Sequence, residues 1–516
     1  MNFIDFFEKS ARLHPQRDCI VFGQRRWTYA QVDELANRIA NGLRGIGAGP
    51  DVKCAVLSRN DPIAFISMLG ILKAGAVWVP LNSTNAAEQN LHVVGAFDVE
   101  VLFFEKDAEE FVREVKSTYP AVRSYFCVDD SSELGPCVEV WAMLQSSEYK
   151  LLPWAPDALC WLRGTGGTTG MPKGVMNSNR NFETMLANFN ALLRFREPPI
   201  YLASAPLSHA AAVLSMVTFS MAGTVHIHRK FDAQQTLDAI QRERISFMYL
   251  PPTAIYKVLA HPGVRDVDFS SLQHFCYGSA PISATKLAES IEVFGPVMTQ
   301  VYGQTEVPTS VTYLGPEDHL NPDGSVNMTR LLSCGRPAPF TRVALLGDDG
   351  KPVPQGKVGE IAVQGGLVMN GYYKNPEATQ EVWMHGWHHT GDVAYQDEDG
   401  YIYICDRKKE MIITGGYNVY PLEVEQVVLS HPAIQDCAVV GVPDEKWGEA
   451  IKAVIEVKKG CSVSAEELVK YCKQRIGSVK APKSVDFIDE LPRSSAGKVV
   501  RKEVRKWYWA EVSRNV

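Results

Sequence analysis

The residues best suited to chemistry are concentrated in one stretch, RGTGGTTGMPKGVMNSNRN, from Arg163 to Asn181. Gly164, Gly166, Gly167 and Gly170 leave backbone N–H groups unobstructed by side chains. Thr165, Thr168 and Thr169 add hydroxyls, and Lys173 adds an ammonium. This inventory suits the β- and γ-phosphates of a nucleoside triphosphate. The Walker pattern G-x-x-x-x-G-K-[ST] is excluded, because Gly174 follows Lys173 and has no hydroxyl to offer Mg2+. A flexible linker of similar composition would have no use for the fixed Pro172-Lys173-Gly174 turn.

Further along, YGQTE (Tyr302 to Glu306) pairs a carboxylate that can hold Mg2+ through oxygen with a Thr305 hydroxyl that can donate to a phosphate. HTGD is expected to place Asp392 in a loop, where an acceptor-only carboxylate can bind a diol. Lys498 sits beside Gly497 in the polar stretch RSSAGKVVRK. Taken singly, Asp392, Arg407 and Lys498 read as solvated surface charges, and YGQTE reads as a strand-to-loop turn.

Their order along the chain changes that reading. The string TGGTTGMPKGVM resembles the phosphate loop of the adenylate-forming (ANL) superfamily, which includes acyl-CoA synthetases, peptide-synthetase adenylation domains and firefly luciferases. PLSHAAA, YGSAPIS, VYGQTE, HTGDVAYQDEDGYIYICDRKKEMIITGGYNVYPLEVE and LPRSSAGKVVRK follow in the family's order. With RRWTYAQVDELANRIANGL and GAVWVPLN near the start, the resemblance spans nearly the whole chain.

The resemblance implies roles for individual residues. Thr165, Gly166, Gly167, Thr168, Thr169, Gly170 and Lys173 would hold phosphates. Gly278, Ser279, Ala280 and Pro281 would flank the adenine, with Tyr302 stacked on it beside Gly303, Gln304 and Thr305. Asp392 and Arg407 would take the ribose, Glu306 the Mg2+, and Lys498 the charge of the pentavalent transition state, with Thr305 and His209 also at the reaction centre. Coenzyme A would be the second substrate, passing Gly415 and Gly416. Lys409 would be the hinge of a small mobile C-terminal domain, since a mixed anhydride is best kept from water by rearranging the enzyme between two half-reactions.

These roles imply an ATP-dependent carboxylate–CoA ligase, an AMP-forming acid–thiol ligase that makes an acyl-adenylate and then an acyl-CoA. The other readings are a luciferase-like oxidative enzyme, an enzyme loading a carrier protein, and a silent scaffold; the complete charged set argues against the last. No acidic residue lies between Pro206 and Asp232, so the ammonium of an amino acid would be buried unpaired. The same run holds no Arg or Lys as far as His228, which disfavours a dicarboxylate. With His209 at the carboxylate end, Ala211, Ala212 and Ser215 suggest an acyl pocket walled by small residues. An aromatic, alicyclic or medium- to long-chain monocarboxylate is the expected acid. The chain ends soon after Lys498, which leaves no room for a carrier domain. Many relatives have a histidine where Asn179 stands, so any role of that histidine is in question here.

Such residues need a scaffold to bring them together. Strand-like runs (CIVF, KCAVLS, AVWVPL, VEVLFF) alternate with helical ones such as TYAQVDELANRIANGLRGIG, and the rhythm resumes after the glycine-rich stretch; this predicts mainly parallel α/β subdomains. From about Cys334 the texture becomes that of a small β subdomain of hairpins. The boundary is expected at residues 1–406 and 407–516, the second part an α+β module. DRKKEM is either a hinge or an exposed hairpin turn.

A chain of 516 residues needs several cores, and 46% hydrophobic with 22% charged residues can build them. A net charge of −7 gives no reason to expect nucleic acid. Asp5 and Glu8 spoil a signal peptide, and polar residues interrupt the uncharged run Ala210 to Ile227, which reads as a buried helix and strand rather than a membrane span. Eleven cysteines without a C-x-x-C pair suit a reducing cytoplasm. A homodimer is a further expectation of the resemblance.

Overall fold

The computed structural model describes residues 1–165, 171–493 and 499–509. Gly166, Gly167, Thr168, Thr169, Gly170 and Lys498 therefore lie outside the described residues. Four sheets organise the rest, and helices cover the two large ones.

The first large sheet has six strands in the order Ser124–Cys127, Val99–Phe104, Lys53–Ser58, Val77–Asn82, Leu159–Gly164, Gly174–Ser178. All its pairs are parallel except the last, an antiparallel hairpin that closes on the glycine-rich stretch through Gly164 opposite Gly174. The second runs Arg336–Pro337, Thr312–Leu314, Met298–Tyr302, His274–Tyr277, Phe247–Leu250, Ile200–Ala203, Thr224–Ile227, Asp18–Phe22, Arg25–Thr28. The α/β expectation holds, with one feature that the sequence did not show: CIVF and KCAVLS lie in different sheets. CIVF pairs in parallel with Thr224–Ile227, more than 200 residues on. Local periodicity identifies a strand but does not name its neighbour, which packing decides.

The main core lies between these sheets, where Trp161 stacks on Phe182, which in turn stacks on Phe3. The uncharged run is the helix Ala210–Ser220 followed by the strand Thr224–Ile227, both buried. Among the described residues no helix is long and apolar enough to cross a membrane.

A five-stranded sheet follows, of Arg342–Leu346, Gly359–Gln364, Trp387–Gln396, Trp383–Met384 and Ile402–Arg407. The last sheet contains Tyr417–Val419, Ile412–Thr414, Gly448–Val457, Ile434–Asp444 and Ser484–Phe487, backed by the helices Pro421–Leu429 and Ala465–Lys480. DRKKEM joins these two sheets. The strand before it and the strand after it pair in different sheets, so it is not a hairpin turn. Asp392 also differs from expectation. It lies within the Trp387–Gln396 strand, directly opposite Arg407, because two-residue pairing carries the HTGD segment into the sheet.

Candidate active site

The segment NSNRN, which follows the glycine-rich stretch, ties separate parts of the chain together. Asn177 Nδ2 donates to Thr305 O at 3.3 Å, and Asn181 Nδ2 donates to the carbonyls of Gly366 and Val368 at 2.8 and 2.7 Å. Asn179 stands at the start of the helix Asn179–Leu192. Its Oδ1 accepts from Phe3 N–H at 2.8 Å, and its Nδ2 donates to Ala155 O at 2.9 Å and Asn2 Oδ1 at 3.3 Å. Its work is to pin the N-terminal segment over the core. Asn179→Ala would leave the Phe3 N–H and Ala155 C=O without partners, and is expected to cost about 1–3 kcal/mol, read by urea denaturation. The ATP KM is expected to stay at the parental value.

The YGQTE turn is held tightly from both sides. A Cβ on Gly303 would meet Thr309 N at 2.5 Å, so only glycine allows the chain to fold back, with Gln304 N–H donating to Val307 O at 3.1 Å. The strand end brings Tyr302 to Asp392, where its hydroxyl donates to Oδ2 at 2.5 Å. Gln304 Nε2 donates to the same oxygen at 2.8 Å and to Thr390 O at 2.9 Å, and Arg407 Nε reaches Oδ1 at 2.7 Å. Asp392 is 5% exposed and accepts from these three donors. Burial, and then the negative charge of Asp392, push the Tyr302 hydroxyl well above the usual tyrosine range, so it remains a donor.

Two residues on, Glu306 Oε1 accepts from the Tyr372 hydroxyl at 2.7 Å, while Glu306 O accepts from Met369 N–H at 2.8 Å. The Tyr372 ring lies 5.2 Å beneath Lys173 Nζ, and its backbone bridges to Val175 on the glycine-loop hairpin. Burial and the nearby Glu306 raise the Tyr372 hydroxyl far above its ordinary pKa. Thr165 and Lys173 close the mouth of the glycine stretch: Thr165 N–H donates to Lys173 O at 2.9 Å, and Lys173 N–H donates to Thr165 Oγ1 at 3.2 Å. One wall therefore carries Lys173, Tyr372, Glu306, Thr305, Gln304, Tyr302, Asp392 and Arg407 in succession.

On the facing edge, Ser279 takes a left-handed φ of 66°, unusual for a residue with a side chain, and its Oγ hydrogen-bonds Tyr249 Oη at 2.6 Å. Gly278 is needed because a Cβ there would meet Val301 O at 2.5 Å. Ala280 is half-buried and Pro281 exposed. His209 precedes the helix Ala210–Ser220, with Nδ1 2.9 Å from Ser208 Oγ. Asn60 fixes the approach to it by accepting from Leu207 N–H and donating to Ala205 O.

The small residues expected to wall an acyl pocket lie along this helix. Ala211, Ala212 and Ser215 are 0%, 1% and 0% exposed, and Ser215 Oγ donates to Ala211 O at 2.8 Å. The helix is apolar all round and packs on neighbours on every side, so these residues belong to the core. Arg229, the first cation after the run, is paired with Asp61 at 3.2 Å and Glu105 at 2.9 Å.

Gly415 and Gly416 make the two-residue turn of a hairpin, Thr414 opposite Tyr417, with φ of 56° and 81°. A Cβ on Gly415 would strike the Trp447 ring at 2.4 Å, so Trp447 covers this turn. Lys409 is exposed in a short 3-10 turn between the two sheets.

Tyr372 escaped the sequence reading, although GYYKN is the first turn signal after GEIAVQGG. Its partner lies 66 residues away, so no local pattern marked it. The arginines that flank Lys498 escaped as well. Arg493 Nη2 contacts Asp436 at 2.7 Å and Glu456 at 3.1 Å, and Arg501 contacts Asp406, Glu410 and Glu425 at 2.5–2.7 Å.

Comparison with known proteins identifies the family. The profile of the AMP-binding enzymes matches residues 7–373, and that of the AMP-binding enzyme C-terminal domain matches residues 423–498. A medium/long-chain-fatty-acid–CoA ligase of Mycobacterium tuberculosis, FadD8, is 36% identical over 98% of this chain and 89% of its own length. A feruloyl-CoA synthase of Amycolatopsis is also 36% identical, over 96% of this chain and 97% of its own. Among solved structures, the amide bond synthetase McbA of Marinactinospora thermotolerans superposes with a TM-score of 0.89 at 29% identity, covering 98% of this chain and all of that one. The chain belongs to the AMP-binding, adenylate-forming enzymes. Within them it falls in the class of AMP-forming acid–CoA ligases.

Proposed function

We propose that this enzyme activates an aromatic, alicyclic or medium- to long-chain monocarboxylic acid. A carboxylate oxygen attacks the α-phosphorus of ATP and pyrophosphate leaves; the thiol of coenzyme A then attacks the acyl carbonyl and AMP leaves. The observation that carries this reading is the linkage of Lys173 through Tyr372 to Glu306, and of Tyr302 and Gln304 to Asp392 and Arg407, an order that suits phosphate, metal and ribose. The chemical range of the relatives, fatty acid and ferulate, supports a monocarboxylate. The absence of acidic residues between Pro206 and Asp232 leaves the ammonium of an amino acid without a partner in that run.

Residue roles follow from this reading. Lys173 and the glycine-rich stretch hold the β- and γ-phosphates. Thr305 donates to the α-phosphate, Lys498 meets the charge that builds there, and His209 faces the carboxylate. Asp392 accepts from the ribose diol, which must displace at least one of its present donors. Glu306 and the ATP phosphates supply oxygen ligands that suit Mg2+, an ion that keeps several waters and takes few protein carboxylates; it would neutralise phosphate charge. The 408–410 turn with Lys409 serves as the hinge between residues 1–406 and 407–516, and Gly415 and Gly416 admit the pantetheine arm. The free cysteines accord with a reducing cytoplasm.

Tyr372→Phe tests the Glu306 assignment. It keeps the ring under Lys173 and deletes one hydrogen bond to the metal-binding carboxylate. The Mg2+ concentration for half-maximal activity is expected to rise by about 10–100-fold. An unchanged Mg2+ dependence would remove Glu306 from that role.

The overall reading is tested with a panel of benzoates, phenylacetates, cinnamates, alicyclic acids and C4 to C16 fatty acids. Pyrophosphate release is measured without coenzyme A, and thioester and AMP with it. Pyrophosphate release with amino acids alone would defeat the substrate class. Thioester formation separates a ligase from an oxidative or amide-forming relative.

A further inference from the structure

Arg163 opens the glycine-rich stretch, and the roles above leave it without a task. It stands on the strand Leu159–Gly164, two residues before Thr165. Strand alternation places its side chain on the face of Trp161, which belongs to the main core between the sheets, and opposite Leu162, which packs in the core on the other side. The register sets Arg163 across from Val175 and Trp161 across from Asn177. That face is tied to the site at two points. Asn177 reaches Thr305 O at 3.3 Å, and Val175 bridges to Tyr372, whose hydroxyl holds Glu306.

Glu306 and Tyr249, the latter hydrogen-bonded to Ser279, are the groups whose charge the guanidinium feels. Among the described residues Arg163 forms no ion pair and no side-chain hydrogen bond. Neighbouring arginines differ: Arg407 holds Asp392, and Arg229 holds Asp61 and Glu105. Burial lowers the Arg163 pKa to about 10, which leaves it charged at neutral pH. Arg163 is half-buried, and a cation held there without an ion pair is costly, a cost that a bound anion removes.

We propose that Arg163 is an oxyanion-binding residue of the adenylation site, whose guanidinium takes either the carboxylate of the acid or a phosphate oxygen of ATP. This rests on the adenylating reading above. A planar fork of N–H donors suits both anions, and the site must gather two of them. Arg163 is then the cation that the helix after His209 lacks.

The test uses the full-length enzyme with Arg163→Met, Arg163→Lys and Arg163→Ala. In Arg163→Met, kcat/KM for pyrophosphate release is expected to fall by about 10²-fold at an unchanged melting temperature. Arg163→Lys is expected to recover part of the loss, and added guanidinium to restore part of the rate of Arg163→Ala. A raised KM for the acid with parental ATP affinity assigns the carboxylate; a raised Kd for ATP alone assigns the phosphate. Parental kinetics and parental ATP affinity in Arg163→Met overturn the proposal. Equal losses in the Met and Lys variants, with a lowered melting temperature and no guanidinium rescue, mark a packing role and also overturn it. If the wild type releases no pyrophosphate with any acid, the adenylating reading fails, and this inference fails with it unless Arg163→Met still weakens ATP binding.

Discussion

Lys498→Ala is expected to slow pyrophosphate release by about 10²–10³-fold, since one preorganised charge at the α-phosphate is lost where the transition state is most anionic. The loss is expected in kcat, with little change in the KM for ATP, because the phosphates keep Lys173 and the glycine-rich stretch. Lys498 lies outside the described residues, but its surroundings are well defined on both sides. Arg493 and Val499 form a β-bridge, and Val500 N–H donates to Pro492 O at 2.8 Å. Arg493 is itself held by Asp436 and Glu456. With these anchors intact, the melting temperature is expected to stay at the parental value. The second half-reaction, assayed with preformed acyl-adenylate and coenzyme A, is expected to survive. A Lys498→Ala enzyme that releases pyrophosphate at the parental rate would remove Lys498 from the transition state.

Arg501→Ala is expected to act differently, through stability and rate together. The Arg501 side chain is 15% exposed, with Nη1 2.7 Å from Asp406, Nη2 2.5 Å from Glu425, and Nε 2.7 Å from the other Glu425 oxygen. Asp406 and Glu425 are 3% and 9% exposed. The network joins the last strand of the five-stranded sheet to the helix Pro421–Leu429 and to the helix Arg501–Trp509, the first helix after Lys498. Asp406 Oδ2 also accepts from Leu422 N–H at 2.7 Å, near the start of the Pro421–Leu429 helix. Burial already raises the Glu425 pKa, and the Arg501 charge opposes that rise. Without the guanidinium two buried carboxylates would face each other uncompensated, a loss of about 3–5 kcal/mol. Urea denaturation and limited proteolysis of the C-terminal part are the measurements. A stability within about 0.5 kcal/mol of the parent would mean that the network is no more than a surface pair.

Much of this site was legible in the sequence because its chemistry is local. Gly303 is required by a close backbone approach six residues on, and Gly415 with Gly416 by a two-residue turn. Such constraints restrict residue type directly, so they appear as motifs. The roles of Asn179 and Tyr372 were not legible. Asn179 looked like a departure from pattern next to the phosphate loop, whereas its amide serves the N-terminal segment 176 residues away. Ala211, Ala212 and Ser215 are small, and the structure buries all three in the helix Ala210–Ser220.

The sequence by itself determined the types of chemistry: a phosphate-binding glycine stretch, a carboxylate next to a threonine, an acid and a base further along, and the order that makes them one enzyme class. Tertiary structure alone decided which of these side chains meet. Gln304 reaches Asp392 across 88 residues, and CIVF pairs with a strand more than 200 residues on. Arg163 lies on the same side of its strand as Trp161, across from Val175. The physical reason is that strand alternation has a period of two, so a slip of one residue would send Arg163 to the opposite core. Register is set by the pairing and packing of whole sheets, which no short stretch of sequence contains.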